Sequence, residues 1–362
     1  MKYLILITTQ LLFLSFGTFV YSQNSSSFKV FLIGDAGEKE IMGATLRDLK
    51  IKLQENPNSA VIFLGDNCYK KTMYGLINIE IKGFDGSKIT QKRLMSQLNT
   101  LKNYEGSAFF VPGNHDWWNT LSIEKGKKNL LLEQLFVEDS LQKFTSLKND
   151  SNSVFLPRNG EAGPVSKEVN DGKIRIIFID TYRMILEESK VKHKKVELIK
   201  QFYIDLQTQI ALGVSKNQKI IIVAHHPIFA KGKHSQLMPL WQEKKERFAN
   251  SNLNFLPYKK MALHIDSIIK AANQSGIYYV AGHEHSLEYF FKNKLHYIIS
   301  GSGSKTDKVK FESTQSKNEC VRWNEEGFFE IDFGSVSEKI IMYHRENETA
   351  ALQADCVGGC EN

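Results

Sequence analysis

Residues Ile277–His285 read Ile-Tyr-Tyr-Val-Ala-Gly-His-Glu-His, and residues Lys219–Pro227 read Lys-Ile-Ile-Ile-Val-Ala-His-His-Pro. In each, a short β-branched or aromatic run fits a buried strand, and glycine or imidazole follows directly. Working outward, the same construction recurs toward the N-terminus. Ile33 leads into Gly34-Asp35-Ala36-Gly37, Leu64 into Gly65-Asp66-Asn67-Cys68-Tyr69, and Val111 into Pro112-Gly113-Asn114-His115-Asp116. Glycine lets the chain turn sharply, so the next side chain can project into a shared crevice. In sheets of this kind, ligands collect beyond the carboxyl ends of the strands. One Gly-Asp alone is an ordinary turn, and one Asn-His-Asp an ordinary cap. Five strand ends bearing carboxylate, phenol, amide and imidazole point instead to a metal centre. Six of the ten histidines fall in or beside these loops. Such donors suit iron, zinc or manganese, and no thiolate cluster competes.

The remaining pattern supplies the frame. Strands are predicted over Lys29–Ile33, Ala60–Leu64, Ala108–Val111, Ile174–Ile179, Lys219–Ala224, Ile277–Ala281, Leu295–Ile299, Gly327–Ile331 and Lys339–Tyr343. Helices are predicted over Val196–Leu212, where Ile199, Phe202, Leu206 and Ile210 share a face, and over Tyr258–Ala272, where Met261, Ile265, Ile268 and Ile269 do. The alternation predicts an α/β or mixed sandwich fold. The stretch Lys231–Pro257 lacks a period and reads as a long loop of the kind that often carries function. With no repeat and no linker, one catalytic domain over 23–345 is expected, followed by a C-terminal tail, 346–362, holding Cys356 and Cys360.

Composition narrows the class. With 42% hydrophobic and 24% charged residues among 362, the chain is ordinary globular protein, which excludes disordered, collagen-like and multi-span membrane classes. A formal charge of +7 means a solvated surface with a weak pull on anions at most. No basic block with interleaved aromatics occurs, so a nucleic-acid partner is not indicated. Residues 1–22 carry Lys2, an apolar run and Val20-Tyr21-Ser22, the pattern of a secretory signal peptide. The run approaches spanning length, but Thr8, Thr9 and Gln10 interrupt it, so cleavage rather than anchoring is expected, with no stable span afterwards. No Cys follows at the position lipid attachment would need. A secreted or periplasmic location follows. Four cysteines are too few for a disulfide scaffold. Cys356 can pair with Cys360, or either of them with Cys320, and a zinc pair is the weaker alternative. Cys68, inside a ligand loop, reads as a buried free thiol.

The ordered set GDAG, GDNCY, GNHD, a His two residues before Pro227, and GHEH resembles the calcineurin-like metallophosphoesterases. Most of that superfamily begins Asp-x-His, whereas position 37 here is Gly. Tyr69, three residues after Asp66, is similar to the purple acid phosphatases. Gly282–Phe290, the following Ile-Ser-Gly-Ser-Gly loop and the short length resemble their small, tartrate-resistant type. The likeness runs from about Phe28 to Tyr343. It implies a four-layer α-β-β-α sandwich, with two mixed sheets flanked by helices.

The resemblance also implies two metal ions, Fe(III) with Fe(II), Zn(II) or Mn(II). The ferric-type position would be held by Asp35, Asp66, Tyr69 and His285, and the divalent one by Asp66, Asn114, His225 and His283. His115 and His234 match the substrate-facing histidines, and Asp116 either orients or charges the His115 ring or caps a turn. Asp180-Thr181 reads as structural, and Trp117-Trp118 either walls the crevice or packs. The implied activity is that of a secreted acid phosphatase, with a hydroxide held by ions ~3.5–4 Å apart attacking phosphate monoesters of small molecules or phosphoproteins. Alternatives are a phosphodiesterase or nucleotide hydrolase on the same site, or a secreted binding or scaffold protein with a degenerate site. The filled ligand positions argue against the last.

Overall fold

The computed structural model describes residues 27–74, 78–118, 120, 122–144, 146–190, 196–235, 252–307, 321–334 and 337–358. Residues 1–22, where a signal peptide is expected, Cys320, Cys360 and most of the loop after Ser235 lie outside these ranges.

Two mixed sheets face each other. In the first, β1 (Phe28–Ile33), β2 (Ser59–Phe63) and β5 (Ser107–Phe110) run parallel, with Phe31 opposite Val61 and Ile62 opposite Phe109. β13 (Glu326–Phe333), β14 (Glu338–Arg345) and β15 (Gln353–Gly358) extend this sheet antiparallel from β1. In the second, β7 (Ile174–Phe178), β8 (Lys219–Val223), β9 (Ile277–Ala281) and β11 (Leu295–Ser300) run parallel. It is completed by β6 (Val165–Val169), β10 (Leu287–Lys292) and β12 (Val321–Trp323). A hairpin, β3 (Lys70–Tyr74) and β4 (Asn78–Lys82), stands apart from both.

Three apolar layers hold this together. Val30, Leu32, Ile62 and Phe109 of the first sheet meet Ile176, Phe178, Val223 and Val280 of the second. The outer face of the first sheet, through Phe31, Phe63 and Phe110, packs on α1 (Ala44–Glu55), α2 (Lys88–Leu98) and α3 (Ile123–Phe144). The outer face of the second packs on α4 (Thr181–Ser189), α5 (Val196–Ser215) and α6 (Leu256–Ala271). Alternate residues of one strand thus feed opposite layers, and the expected α-β-β-α sandwich is the observed one. Ile199, Phe202, Leu206 and Ile210 of α5 are buried, as their spacing predicts.

Within the stretch set apart as a tail, Gln353–Gly358 joins the sheet: Tyr343 pairs with Ala354 and Met342 with Asp355. Its short polar sequence conceals an edge strand. Cys356 is disulfide-bonded, with both candidate partners outside the described residues. Among the described residues, no helix is long and apolar enough to cross a membrane.

Candidate metal centre

The parallel strands β1, β2 and β5 of one sheet and β8 and β9 of the other end at the same level. Gly34 N donates to Ser300 O (2.6 Å) and Gly282 N to His225 O (3.0 Å), which ties the loops together. Three residues beyond these strands hold left-handed backbone: Asp35 (φ 56°), Asp66 (φ 52°) and His283 (φ 72°). Non-glycine residues avoid this region, and strain of this kind gathers at functional positions. The glycines beside them answer to space. A Cβ on Gly65 (φ 88°) would lie 2.6 Å from His225 Nδ1 and 2.8 Å from Gly113 N.

The donor atoms converge. Tyr69 Oη donates toward Asp35 Oδ1 (2.6 Å) and Asp66 Oδ2 (2.9 Å). His283 N holds Asp35 Oδ2 (2.7 Å), and His115 N holds Asp66 Oδ1 (2.9 Å). His225 Nε2 lies 3.4 Å from Asp66 Oδ1 and 3.1 Å from Asn114 Oδ1. His283 Nδ1 lies 3.1 Å from the same amide oxygen and 3.3 Å from His225 Nε2. His285 Nε2 sits 3.6 Å from Asp35 Oδ1.

His225 Nδ1 faces the carbonyl of Leu64 at 2.8 Å, so it carries the ring proton and Nε2 is a bare lone pair. That lone pair, the Asn114 carbonyl oxygen and the Asp66 carboxylate all face one another. These are ligand atoms for a cation, and Asp35, Asp66 and His225 offer theirs close enough to share one. The residues therefore fit a metal pair. His226 lies beside them: its N–H donates to Thr181 Oγ1 (3.0 Å), its Nδ1 lies 2.9 Å from the same oxygen, and with His225 and His283 it offers ligand atoms close enough to share an ion.

Electrostatics agree. Burial, then the neighbouring Asp66 carboxylate, pushes Asp35 well above the usual carboxylate range. Asp66 goes the other way: burial opposes its charge, but the His225 and His115 rings hold it well below that range. Two buried carboxylates on one phenol are not readily ionised together without a cation. Burial lowers His115 to about 4 against the pull of Asp66, and lowers His234 to about 3 with help from His285.

His115 and His234 both reach the centre. The His115 ring lies 4.7 Å from that of Tyr69, and the His234 ring 4.7 Å from that of His283. Glu284 Oε2 fixes His234 by accepting its backbone N–H at 3.0 Å. Of the two roles open to Asp116, its bonds are those of a turn cap rather than of a partner to the His115 ring. Its buried carboxylate turns inward, accepting from Gly113 N (2.7 Å), Asn67 N (3.0 Å), Cys68 N (3.3 Å) and Asn67 Nδ2 (3.2 Å). It braces one ligand loop against another. Trp117 is buried rather than a wall of the crevice, with Nε1 donating to Asp180 Oδ2 at 2.8 Å, and Asp180 caps α4 through Arg183 N. Cys68 is a buried free thiol that burial pushes well above its ordinary range.

A family model described as calcineurin-like phosphoesterase matches residues 28–301, which include every candidate ligand. The chain belongs to the calcineurin-like phosphoesterase family. Among solved structures, PhoD aligns at a TM-score of 0.56 and 10% identity, over 93% of this chain and 73% of that one. GAP50, the anchor in the inner membrane complex of Plasmodium, aligns at 0.55 and 15%, over 93% and 90%. A dimetal phosphatase from Danio rerio aligns at 0.46 and 12%, over 91% and 99%. At these identities the likeness is one of fold. No curated protein matches the sequence.

Within this phosphoesterase, two groups at the centre carry no motif. Asp307 faces His285 Nδ1 at 3.2 Å, so one imidazole spans Asp307 and Asp35. Lys305 places its ammonium 3.3 Å from the centroid of the Tyr69 ring. Both lie just beyond the Gly-Ser loop after β11, which has no ligand-type residue of its own.

Proposed function

We propose that this phosphoesterase is an exported, two-metal phosphatase acting on phosphate monoesters. The observation that carries the reading is the convergence of ligand-type atoms, with His225 Nε2 3.1 Å from Asn114 Oδ1 and 3.4 Å from Asp66 Oδ1, a set that fits a cation. Export is supported by the signal-peptide pattern of residues 1–22. Asp66 would hold both ions, with Asp35, Tyr69 and His285 on one, and Asn114, His225 and His283 on the other. A phenol beside two carboxylates favours Fe(III) at the first position, and the imidazole and amide set suits Fe(II), Zn(II) or Mn(II) at the second. When bound, such a pair supplies Lewis-acid charge and a water of lowered pKa.

The chain's own residues position the reaction. The Leu64 carbonyl fixes the His225 tautomer, and the His283 N–H fixes one oxygen of Asp35. His115 is anchored through its backbone to Asp66, so its ring meets a phosphoryl oxygen without rearrangement. His234 comes from the loop after β8 and is suited to protonating the leaving oxygen. An anchoring role, such as that named for the Plasmodium protein, is disfavoured by the filled ligand positions.

The test is the rate of the metal-loaded protein on matched aryl phosphate monoesters and diesters. The reading expects kcat/KM to favour the monoester by roughly tenfold or more. A preference for the diester overturns it.

A further inference from the structure

Lys305 sits on a fastened loop. Gly301 N donates to Ser286 O (3.1 Å) and Gly303 N to Gly34 O (3.0 Å). Ser304 Oγ donates to Asp35 O (2.6 Å) and accepts from Glu38 N (3.1 Å). The residue before Lys305 is therefore tied through its side-chain hydroxyl to the backbone of Asp35. The side chain of Lys305 runs over Tyr69, the phenol that joins Asp35 to Asp66, and the His115 ring borders the same phenol.

Once two metal cations share Asp35 and Asp66, those carboxylates no longer balance this ammonium. An ammonium beside a metal pair adds to the positive charge that an incoming anion meets. Lysine is a point charge with three donors and binds phosphate without requiring a fixed plane. A phosphate monoester is close to doubly charged at neutral pH, because its second ionisation lies near pH ~6. A diester carries one charge, shared between two non-bridging oxygens.

We propose that Lys305 is the anion-recognition residue of this active site: its ammonium binds a non-bridging phosphoryl oxygen and selects doubly charged monoesters over singly charged diesters. This inference rests on the monoesterase reading above for its choice of substrate class.

The experiment compares metal-loaded wild type with Lys305→Met, which keeps the apolar stem over Tyr69, and Lys305→Arg, which keeps the charge. Inorganic phosphate affinity, metal content, and kcat/KM on aryl monoester and diester are measured for each. Lys305→Met should weaken phosphate binding and lower monoester kcat/KM by about tenfold each, while diester kcat/KM falls less than about threefold, as expected for losing one charge-assisted contact. Metal content should hold, and Lys305→Arg should recover most of the loss. Should Met disturb the packing on Tyr69, Lys305→Gln gives the same comparison with a polar head. Unchanged phosphate affinity, an equal fall for both esters, or loss of metal overturns the proposal. A wild type that prefers diesters defeats the monoesterase reading alone, since the phosphate titration still decides whether Lys305 recognises the anion.

Discussion

Asp116→Ala separates a brace from a catalyst. The substitution removes the acceptor of three backbone N–H groups, those of Gly113, Asn67 and Cys68, all in buried loops that carry candidate ligands. Each orphaned buried donor costs about 1–3 kcal/mol. Part of this is offset, because the carboxylate is itself costly to hold: burial and then Glu133 push it well above the usual carboxylate range. A net loss of roughly 2–5 kcal/mol follows, against a total stability of about 5–15 kcal/mol for a folded domain. Asp116→Asn keeps one oxygen and should lose about half as much. Urea unfolding in the presence of chelator measures this without contributions from bound metal. The midpoint should fall with the slope unchanged, and metal content in the untreated protein should drop, since the loops bearing Asp66 and Asn114 loosen together. Wild-type stability and metal content, with turnover lowered by about a hundredfold, would refute the brace and return Asp116 to the chemistry through His115.

Other outcomes are equally definite. His115→Ala should lower kcat by roughly a hundredfold with metal retained, because its ring is a preorganised donor and not a ligand; metal loss would mean the two roles had been confused. His234→Ala should lower kcat by about tenfold to a hundredfold, most for poor leaving groups if it donates the proton. Equal losses across a leaving-group series would remove it as that donor. If the Tyr69 phenolate binds ferric iron, oxidised protein should be violet to pink, and Tyr69→Phe should bleach it. A colourless wild type holding two zinc or manganese ions would contradict the iron assignment and leave the fold untouched.

How much the sequence reveals depends on whether a residue's role is periodic, motif-bound or purely spatial. The buried strands are legible because both faces of each are covered, which makes β1, β2, β8 and β9 near-continuous apolar runs. α5 is legible because its stripe is unbroken. α3 is not, because its buried positions mix Asn129, Glu133, Gln134 and Glu138 with Leu130, Val137 and Leu141. β15 is hidden by the polar sequence of an edge strand. Glycine's conformational freedom accounts for only part of these turns: it is Asp35 and His283 that take the left-handed backbone, while Gly34 avoids a collision, since a Cβ there would lie 3.0 Å from Gly282 Cα. The ligand types are legible from their strand ends. The inward turn of Asp116 and the reach of Lys305 and Asp307 are set by loop packing, which leaves no spacing to read.

The central claim, a metal pair bridged by Asp66, is tested most directly by metal quantification on purified wild type and Asp66→Asn. The account predicts close to two metal ions per wild-type chain, phosphoesterase activity lost on chelation and restored by added metal, and a variant that loses metal and activity together. Two ions retained in Asp66→Asn, or a wild type active without metal, would contradict it.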